Sequence, residues 1–291
     1  MTDNSSLGAN GSETNRARQA AAQLLRSRVT HQPMARLAEA IRPRTLDEAL
    51  AVQRELIRQH PEPLVGWKCA LPSADKLVLA PIFSGTLYRG SACAVVPEQG
   101  RAWVEPEIAF VLATDLPARS GAYRPDEVDA ALGSCHMALE LVQHRYAAEA
   151  EAGFLDQLAD GLLNQGLFLG PKIDRAAAFQ CTAMAIRLQW SGRTQSLAGV
   201  HPNQLPQLPL YWLVNYLSQS GVGLSAGQVI ITGTYAGLID VPLASPFELH
   251  YEGLGQCSLT IEARPAQEGL VVQQQQHHQK QQHQKQKQKH Q

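Results

Sequence analysis

From Pro63 onward the chain is cut by Gly and Pro into short apolar runs: LVGWKCAL, KLVLAPIF, VEPEIAFVL, GLFLG, MAIRLQW, QVIITGTYAG, FELHYEG and CSLTIEA. Short runs bounded by turn formers read as β-strands, so about eight strands are predicted in this part of the chain. Two helices interrupt them, one over 125–132 and one over 208–219, where LYWLVNYL is apolar nearly all round. Before Pro63 the texture is different. Ala20, Leu24 and Leu25, then Leu37, Ala40 and Ile41, then Ala49, Val52 and Leu56 recur at helical spacing, which fits two or three amphipathic helices within 14–62. Thr45 stands three residues before Glu48, a capping box for a helix through about His60 that the PEP at 61–63 stops. The flanks can bury no core: 1–13 is rich in Ser, Asn and Gly, and 266–291 is almost wholly Gln, His and Lys from Gln273, so both are expected to be disordered. The fold class predicted is α+β, a helical N-terminal segment followed by a β-rich body over 63–265.

Composition narrows the partners. With 44% hydrophobic residues, 18% charged and a formal net charge of −1, nothing favours nucleic acid or a membrane surface. The start is polar, and no apolar run is long enough to span a bilayer. Cys69, Cys93, Cys135, Cys181 and Cys257 lie far apart, odd in number and without a CxxC pair, which favours reduced thiols and a cytoplasmic location.

Within VEPEIAFVL, strand alternation puts Glu105 and Glu107 on one face and Val104, Ile108 and Phe110 on the other. Two adjacent carboxylates repel, and burying them costs several kcal/mol each without a counter-charge. Either a divalent metal supplies that charge or the pair is solvated on an edge strand, which Pro106 would suit. Glu140, between Leu139 and Leu141, poses the same desolvation problem. Three carboxylates suit Mg²⁺ or Mn²⁺ better than zinc. In LVGWKCAL, Val65, Trp67, Cys69 and Leu71 share one face while Lys68 stands between Gly66 and Ala70 on the other, as a ligand-facing amine or a snorkelling surface lysine. Arg145 could fork onto a substrate carboxylate or pair with a glutamate. Thr232 and Gly233 end a β run where amides and a hydroxyl can hold a carboxylate, or simply turn the chain. No P-loop, dinucleotide fingerprint or GxSxG is present.

Taken in order, GWKCAL, VEPEIAFVLATDL, ALELVQHRY, FLDQLADGLLNQGLFLG, HPNQLPQLPLYWLVNYL and AGQVIITGTYAGLI resemble the 2-oxopent-4-enoate hydratase and 4-oxalocrotonate decarboxylase family of the fumarylacetoacetate hydrolase superfamily, from about Ala20 to Glu262. The resemblance implies a mixed β-roll of the fumarylacetoacetate hydrolase C-terminal-domain type and a small 2-oxo or 2-hydroxy-dienoate substrate. It implies Glu105, Glu107 and Glu140 as metal ligands, Lys68 as a proton-transfer group, and Thr232 and Gly233 as substrate contacts. It further implies a homo-oligomer, with a related hydratase or decarboxylase subunit as an alternative partner.

The chain departs from that family at several places. Gln143 and His144 stand where an acid and a hydroxyl are usual, Ile82 stands at an acid, and ADGLLNQ keeps Asp160 but follows it with Gly161, Leu162 and Leu163. Asp160 and the substituting His144 are therefore candidate catalytic groups. The leading expectation is a metal-dependent hydratase adding water to a 2-hydroxy-2,4-dienoate in aromatic meta-cleavage catabolism. The alternatives are an oxalocrotonate-type decarboxylase, since one electron sink serves both reactions, and a non-catalytic partner subunit. A hydrolase of acylpyruvates ranks third among enzymes, because its early His-Glu pair is matched only by His31 and Glu39.

Overall fold

The computed structural model describes residues 5–74 and 76–264, with backbone alone for 5–10. Two helices open the chain, α1 (Ser5–Thr30) and α2 (Leu46–Gln59). Strands β1 (Leu64–Cys69), β2 (Leu79–Phe83), β3 (Leu87–Arg89), β4 (Ala92–Val95) and β5 (Ala102–Leu112) follow. Next come α3 (Pro125–Ala131), β6 (Leu132–Val142), α4 (Phe154–Ala159), β7 (Asn164–Ile173), α5 (Arg175–Gln180), β8 (Ala183–Trp190), β9 (Arg193–Val200) and α6 (Gln207–Gln219). β10 (Val229–Ile231), β11 (Ile239–Val241), β12 (Phe247–Tyr251) and β13 (Gly255–Ala263) complete the described chain.

Helix α2 starts where its capping box requires. The Thr45 hydroxyl accepts from the Glu48 backbone N–H at 3.2 Å, while the Glu48 carboxylate accepts from Arg44 N, one residue outside the usual box. Its buried face, Ala49, Leu50, Val52 and Leu56, joins the main core, and the Gln53 amide ties it to the carbonyls of Leu79 and Leu158. No helix forms around Leu37, although Leu37 is buried; Pro33 and Pro43 bracket the segment too tightly to leave room for a stable one. The N-terminal stretch expected to be disordered is helical from Ser5, as an extension of the Ala-rich turns that pack Ala17, Ala20, Ala21 and Leu24. The Gln, His and Lys tail over 266–291 lies outside the described residues. Among the described residues no helix is long and apolar enough to cross a membrane, and the five cysteines are free.

The strands form two sheets. Eight strands run in the order β2-β1-β10-β5-β6-β7-β3 with β11 also on β5, and five run β4-β13-β12-β8-β9. In the first sheet the pairs β1·β10 and β3·β7 are parallel and the other pairs antiparallel. Its two end strands, β2 and β3, are separated only by Ser84–Thr86, so the sheet curls until its ends meet. This mixed, curled sheet after N-terminal helices is the α+β body that the sequence pattern predicts, in the rolled form that the resemblance implies.

Curling gives every strand an inside and an outside. On β5, Ala102, Val104, Ile108, Phe110 and Leu112 point to the main core, while Ala109 points inward to a second apolar cluster with Ile82, Ala138, Leu167, Leu169, Val229 and Ile231. β1 divides likewise, Trp67 and Cys69 outward, but Val65 packs with the inner cluster because pairing with β2 slips between Leu64 and Gly66. Gly66 itself is required, since a Cβ there would stand 2.2 Å from the Val229 carbonyl oxygen.

Candidate metal centre

The three glutamates meet at one end of the roll interior. β5 is central, so the edge-strand reading fails; Pro106, which lacks an N–H, sits between the stretches of β5 that pair with β11 and β10. Antiparallel register sets Glu105 directly opposite Glu140 on β6, and alternation sends Glu107 to the same face. Like charges facing each other across a ladder are destabilising on their own. Here one oxygen from each of Glu105, Glu107 and Glu140 lies within 4.8 Å of the others, with Glu107 and Glu140 buried and Glu105 half-buried.

Lys68 enters the same cluster from β1. Its Nζ donates to Glu140 Oε1 at 2.6 Å and to the Leu162 carbonyl at 3.2 Å. Burial pulls its pKa down, but Glu140, Glu105 and Glu107 more than restore it, and the group stands above its ordinary value. Lys68 is thus a charged amine facing the site.

The cluster is short of positive charge. Three carboxylates against one ammonium leave two negative charges over. Burial, then the neighbouring Glu140, pushes the Glu105 carboxyl up to about 7, and burial with both neighbouring glutamates pushes Glu107 well above the carboxylate range. Glu140 Oε2 is buried with no hydrogen-bond partner among the described residues. An all-oxygen set with an orphan ligand atom and a deficit of two charges fits a hard divalent cation.

Backbone and amide groups fix the acids in place. Gly233 N–H donates to Glu107 Oε2 at 2.7 Å, from a φ of +130° that also brings the residue against Pro202, so only glycine serves. Thr232 beside it is buried, and its hydroxyl has no partner among the described residues. Asn164 Nδ2 donates to Glu140 Oε1 at 3.0 Å. The loop that carries Asn164 and the Leu162 carbonyl is strained, since Leu162 and Leu163, after Gly161, both have positive φ.

Asp160, Arg145 and His144 occupy other positions. Arg145 is buried, and its three nitrogens are committed: Nε to Asp160 Oδ2, Nη1 to the Asn164 carbonyl at 2.8 Å and Nη2 to the Asp160 carbonyl at 2.8 Å. Asp160 Oδ1 accepts from Arg28 at 3.3 Å, and Arg28 Nη2 also bonds the Asp160 carbonyl. The expectation of a substrate-binding Arg145 and a catalytic Asp160 is corrected on that ground: both Asp160 side-chain oxygens are taken, by Arg145 and Arg28, and three of the five Arg145 N–H groups are spent on Asp160 and Asn164. They hold the loop from which Asn164 reaches Glu140, which makes them positioning residues. His144 follows the end of β6, so alternation no longer carries it to the carboxylates; it turns outward, half exposed, onto Glu98 at 3.0 Å. Ile82 lies wholly buried in the inner apolar cluster, opposite Gly66 on the paired strand, where Ala80 is the residue opposite Lys68.

Two contributors went unread in the sequence. Asn164 gave only the turn signal of a small polar residue opening GLFLG. His201 is buried, with Nδ1 accepting from Asn203 N and Nε2 beside the Thr232 backbone, about 3.5 Å from where a Gly233 side chain would begin. Burial holds its pKa down at about 4, so the ring is neutral with its proton on Nε2.

Known proteins can be set beside this geometry. The family described as fumarylacetoacetate (FAA) hydrolase C-terminal matches residues 71–262. A 2-keto-4-pentenoate hydratase of Paraburkholderia phymatum is 27% identical over 256 residues, covering 84% of this chain and 97% of its own. A 2-oxo-hept-4-ene-1,7-dioate hydratase of Escherichia coli is 28% identical over 238 residues, covering 74% and 86%. Among solved structures, 4-oxalocrotonate decarboxylase from Pseudomonas putida G7, complexed with magnesium and adipate, superposes with a TM-score of 0.70 at 17% identity, covering 85% of this chain and 97% of that one.

Proposed function

The chain belongs to the fumarylacetoacetate hydrolase C-terminal family, and from that premise we propose that it is a metal-dependent hydratase adding water to a 2-hydroxy-2,4-dienoate to give a 4-hydroxy-2-oxo acid. The observation that carries this reading is the cluster of Glu105, Glu107 and Glu140 with Lys68 Nζ 2.6 Å from Glu140. Its nearest support among relatives is that those at 27% and 28% identity are hydratases of short 2-oxo-enoates.

Glu105, Glu107 and Glu140 would hold Mg²⁺ or Mn²⁺. Bound there, the ion would supply Lewis-acid stabilisation of negative charge on a 2-oxo carboxylate. Lys68 holds a proton at Nζ and is placed to deliver it to a substrate bound beside Glu140. The Gly233 N–H keeps Glu107 aimed, the Asn164 amide does the same for Glu140, and the Thr232 hydroxyl is an unspent donor for substrate oxygen among the described residues. Ile82, Ala109 and Ala138 line the interior beneath, excluding water from one side of the site.

The test is an ultraviolet assay of 2-hydroxypenta-2,4-dienoate consumption with and without Mn²⁺, with the product identified by mass. Gain of water supports the hydratase, and loss of carbon dioxide from oxalocrotonate would replace it with the decarboxylase. Strand β2 gives the partner-subunit reading its specific support, because Ala80 opposite Lys68 and Ile82 diagonal to it offer the amine no acid on the adjoining strand. No turnover of either compound, together with no binding of Mn²⁺ at millimolar concentration, would decide for that reading. A homo-oligomer in the cytoplasm is the setting we propose, supported by five free thiols and tested by light scattering.

A further inference from the structure

A second concave site lies behind the first, between α1 and the roll. It is a cavity of about 500 Å³ whose lining includes neither Lys68 nor any of the three glutamates. Asn164 and Arg145 form part of its wall, so it backs onto the loop that supports Glu140.

Its charge is unbalanced in the opposite sense from the metal centre. Arg26, Arg28, Arg145 and Arg264 line it, against Glu62 on the wall and Asp160 just behind, where it binds Arg28 and Arg145. Four positive charges against two negative ones leave two over. His31 and His60, also on the wall, feel that field: burial first, and then Arg264 for His31 and Arg28 for His60, hold both below the usual imidazole range, His60 at about 4. The Gln143 side chain, at the position where the resemblance leads one to expect an acid, is nearly buried on this wall and makes no hydrogen bond among the described residues. A carboxylate at 143 would have cancelled half of the surplus. With glutamine there the surplus stands, and an amide donor is left without a partner.

The cationic groups come from separate walls, Arg26 and Arg28 from α1, Arg145 from beyond β6 and Arg264 from beyond β13, while Leu25, Val29, Phe83 and Val96 supply apolar surface between. Arg28 and Arg145 share Asp160, and Arg264 spends Nη2 on Tyr88 and the Ala94 carbonyl, so the wall offers a ligand the Arg26 fork at one point and the remaining N–H groups of the other three at others. With apolar surface between them, these match acidic groups at two ends of a short hydrocarbon chain. We propose that this cavity binds a small organic dicarboxylate, at a site separate from the metal centre.

Calorimetric titration of the full chain in metal-free buffer containing a chelator tests this, with glutarate and succinate as probes and propionate and inorganic phosphate as comparisons. Saturable binding of a dicarboxylate is expected, with propionate and phosphate at least roughly tenfold weaker, as the loss of one charge-assisted contact would give. Gln143→Glu and Arg26→Gln should each weaken it by roughly tenfold or more, whereas Glu107→Ala should leave it unchanged. Circular dichroism of each variant confirms that it is folded, and Arg26, on the exposed rim, is the substitution least able to disturb folding. Absence of saturable binding at tens of millimolar, equal affinity for phosphate or propionate, or indifference to both cavity substitutions would overturn the proposal. Loss in Glu107→Ala with retention in Gln143→Glu would overturn it too, by assigning the heat to the metal centre.

Discussion

The cluster of Lys68, Glu105, Glu107 and Glu140 sets three acids against one base, whereas that of Arg28, Arg145 and Asp160 sets two bases against one acid. Both are largely buried and both involve β6 or the chain just beyond it. They differ in how their polar atoms are used. Each Arg145 nitrogen has a partner, both Asp160 oxygens are taken, and the Asp160 carbonyl is bonded as well. In the glutamate cluster an oxygen of Glu140 and the hydroxyl of neighbouring Thr232 are buried without partners among the described residues, and two carboxyl groups are pushed toward their neutral forms. A filled network fixes a shape, and one with spare valence is poised for a ligand. The charged residues read as functional in the sequence sort along that line.

The largest effect that would sharpen the contrast belongs to Lys68. Lys68→Ala is expected to lower dienoate turnover by roughly 10² to 10⁴-fold, the range for one general acid or base, with Mn²⁺ affinity little changed. Steady-state kinetics beside a metal titration checks both, and wild-type turnover in the variant would remove Lys68 from the chemistry. Next comes Asp160→Ala, which strands the buried Arg145 guanidinium and the half-buried one of Arg28 and should cost about 3–5 kcal/mol of stability in urea denaturation. A cost under 1 kcal/mol would mean that the filled network holds nothing in place.

The glutamate cluster should respond with the opposite sign. In metal-free protein the Glu105 carboxyl titrates near 7 rather than at the ordinary value, so between those two points the folded state holds more protons than the unfolded chain. Stability therefore falls as pH rises from about 4.5 to 7, by at least about 1.4 kcal/mol if the shift exceeds one unit. Mn²⁺ should abolish that slope, and Glu107→Gln should raise metal-free stability at pH 7 by about 1 kcal/mol while destroying metal binding. Thermal melts across pH, with and without metal, read all of this. A metal-free slope of the reverse sign would show that the carboxylates are not in conflict.

Much of this arrangement was legible in the sequence, because alternation within one strand is a local property. Glu105 and Glu107 on one face, Lys68 between two small residues and the α2 cap all follow from neighbours along the chain. Bringing Glu140 opposite Glu105 needs the β5 to β6 register, which no run of residues states by itself. The short strands β3, β4 and β11 were missed because three or four residues carry no period, β9, with polar residues at both parities, shows too little apolar pattern, and β6, which carries Glu140, was missed because LGSCHMALELV is buried on both faces and does not alternate. Arg145 and Asp160 were misread for a related reason. A buried arginine and a buried aspartate look functional until it is known that they meet, and their meeting depends on the strained turn at Gly161, Leu162 and Leu163. Asn164 shows the converse, since its contact with Glu140 gives it a role that its composition hides.

His144 supplies the smallest test and the one most able to break the comparison. Its sequence position made it a candidate acid or base, yet it is half exposed and paired with Glu98 in a surface contact. Exposed ion pairs are worth about 0 to 1 kcal/mol, and an imidazole turned to solvent cannot pass a proton to a substrate held by Glu105, Glu107 and Glu140. His144→Ala is therefore expected to change stability by less than about 1 kcal/mol and turnover by less than roughly twofold. Denaturation and kinetics on the same preparation measure both. A tenfold or greater loss of turnover with stability intact would mean that a group with no spare buried valence carries chemistry, and unsatisfied buried valence would then fail as the mark that separates this protein's working residues from its structural ones.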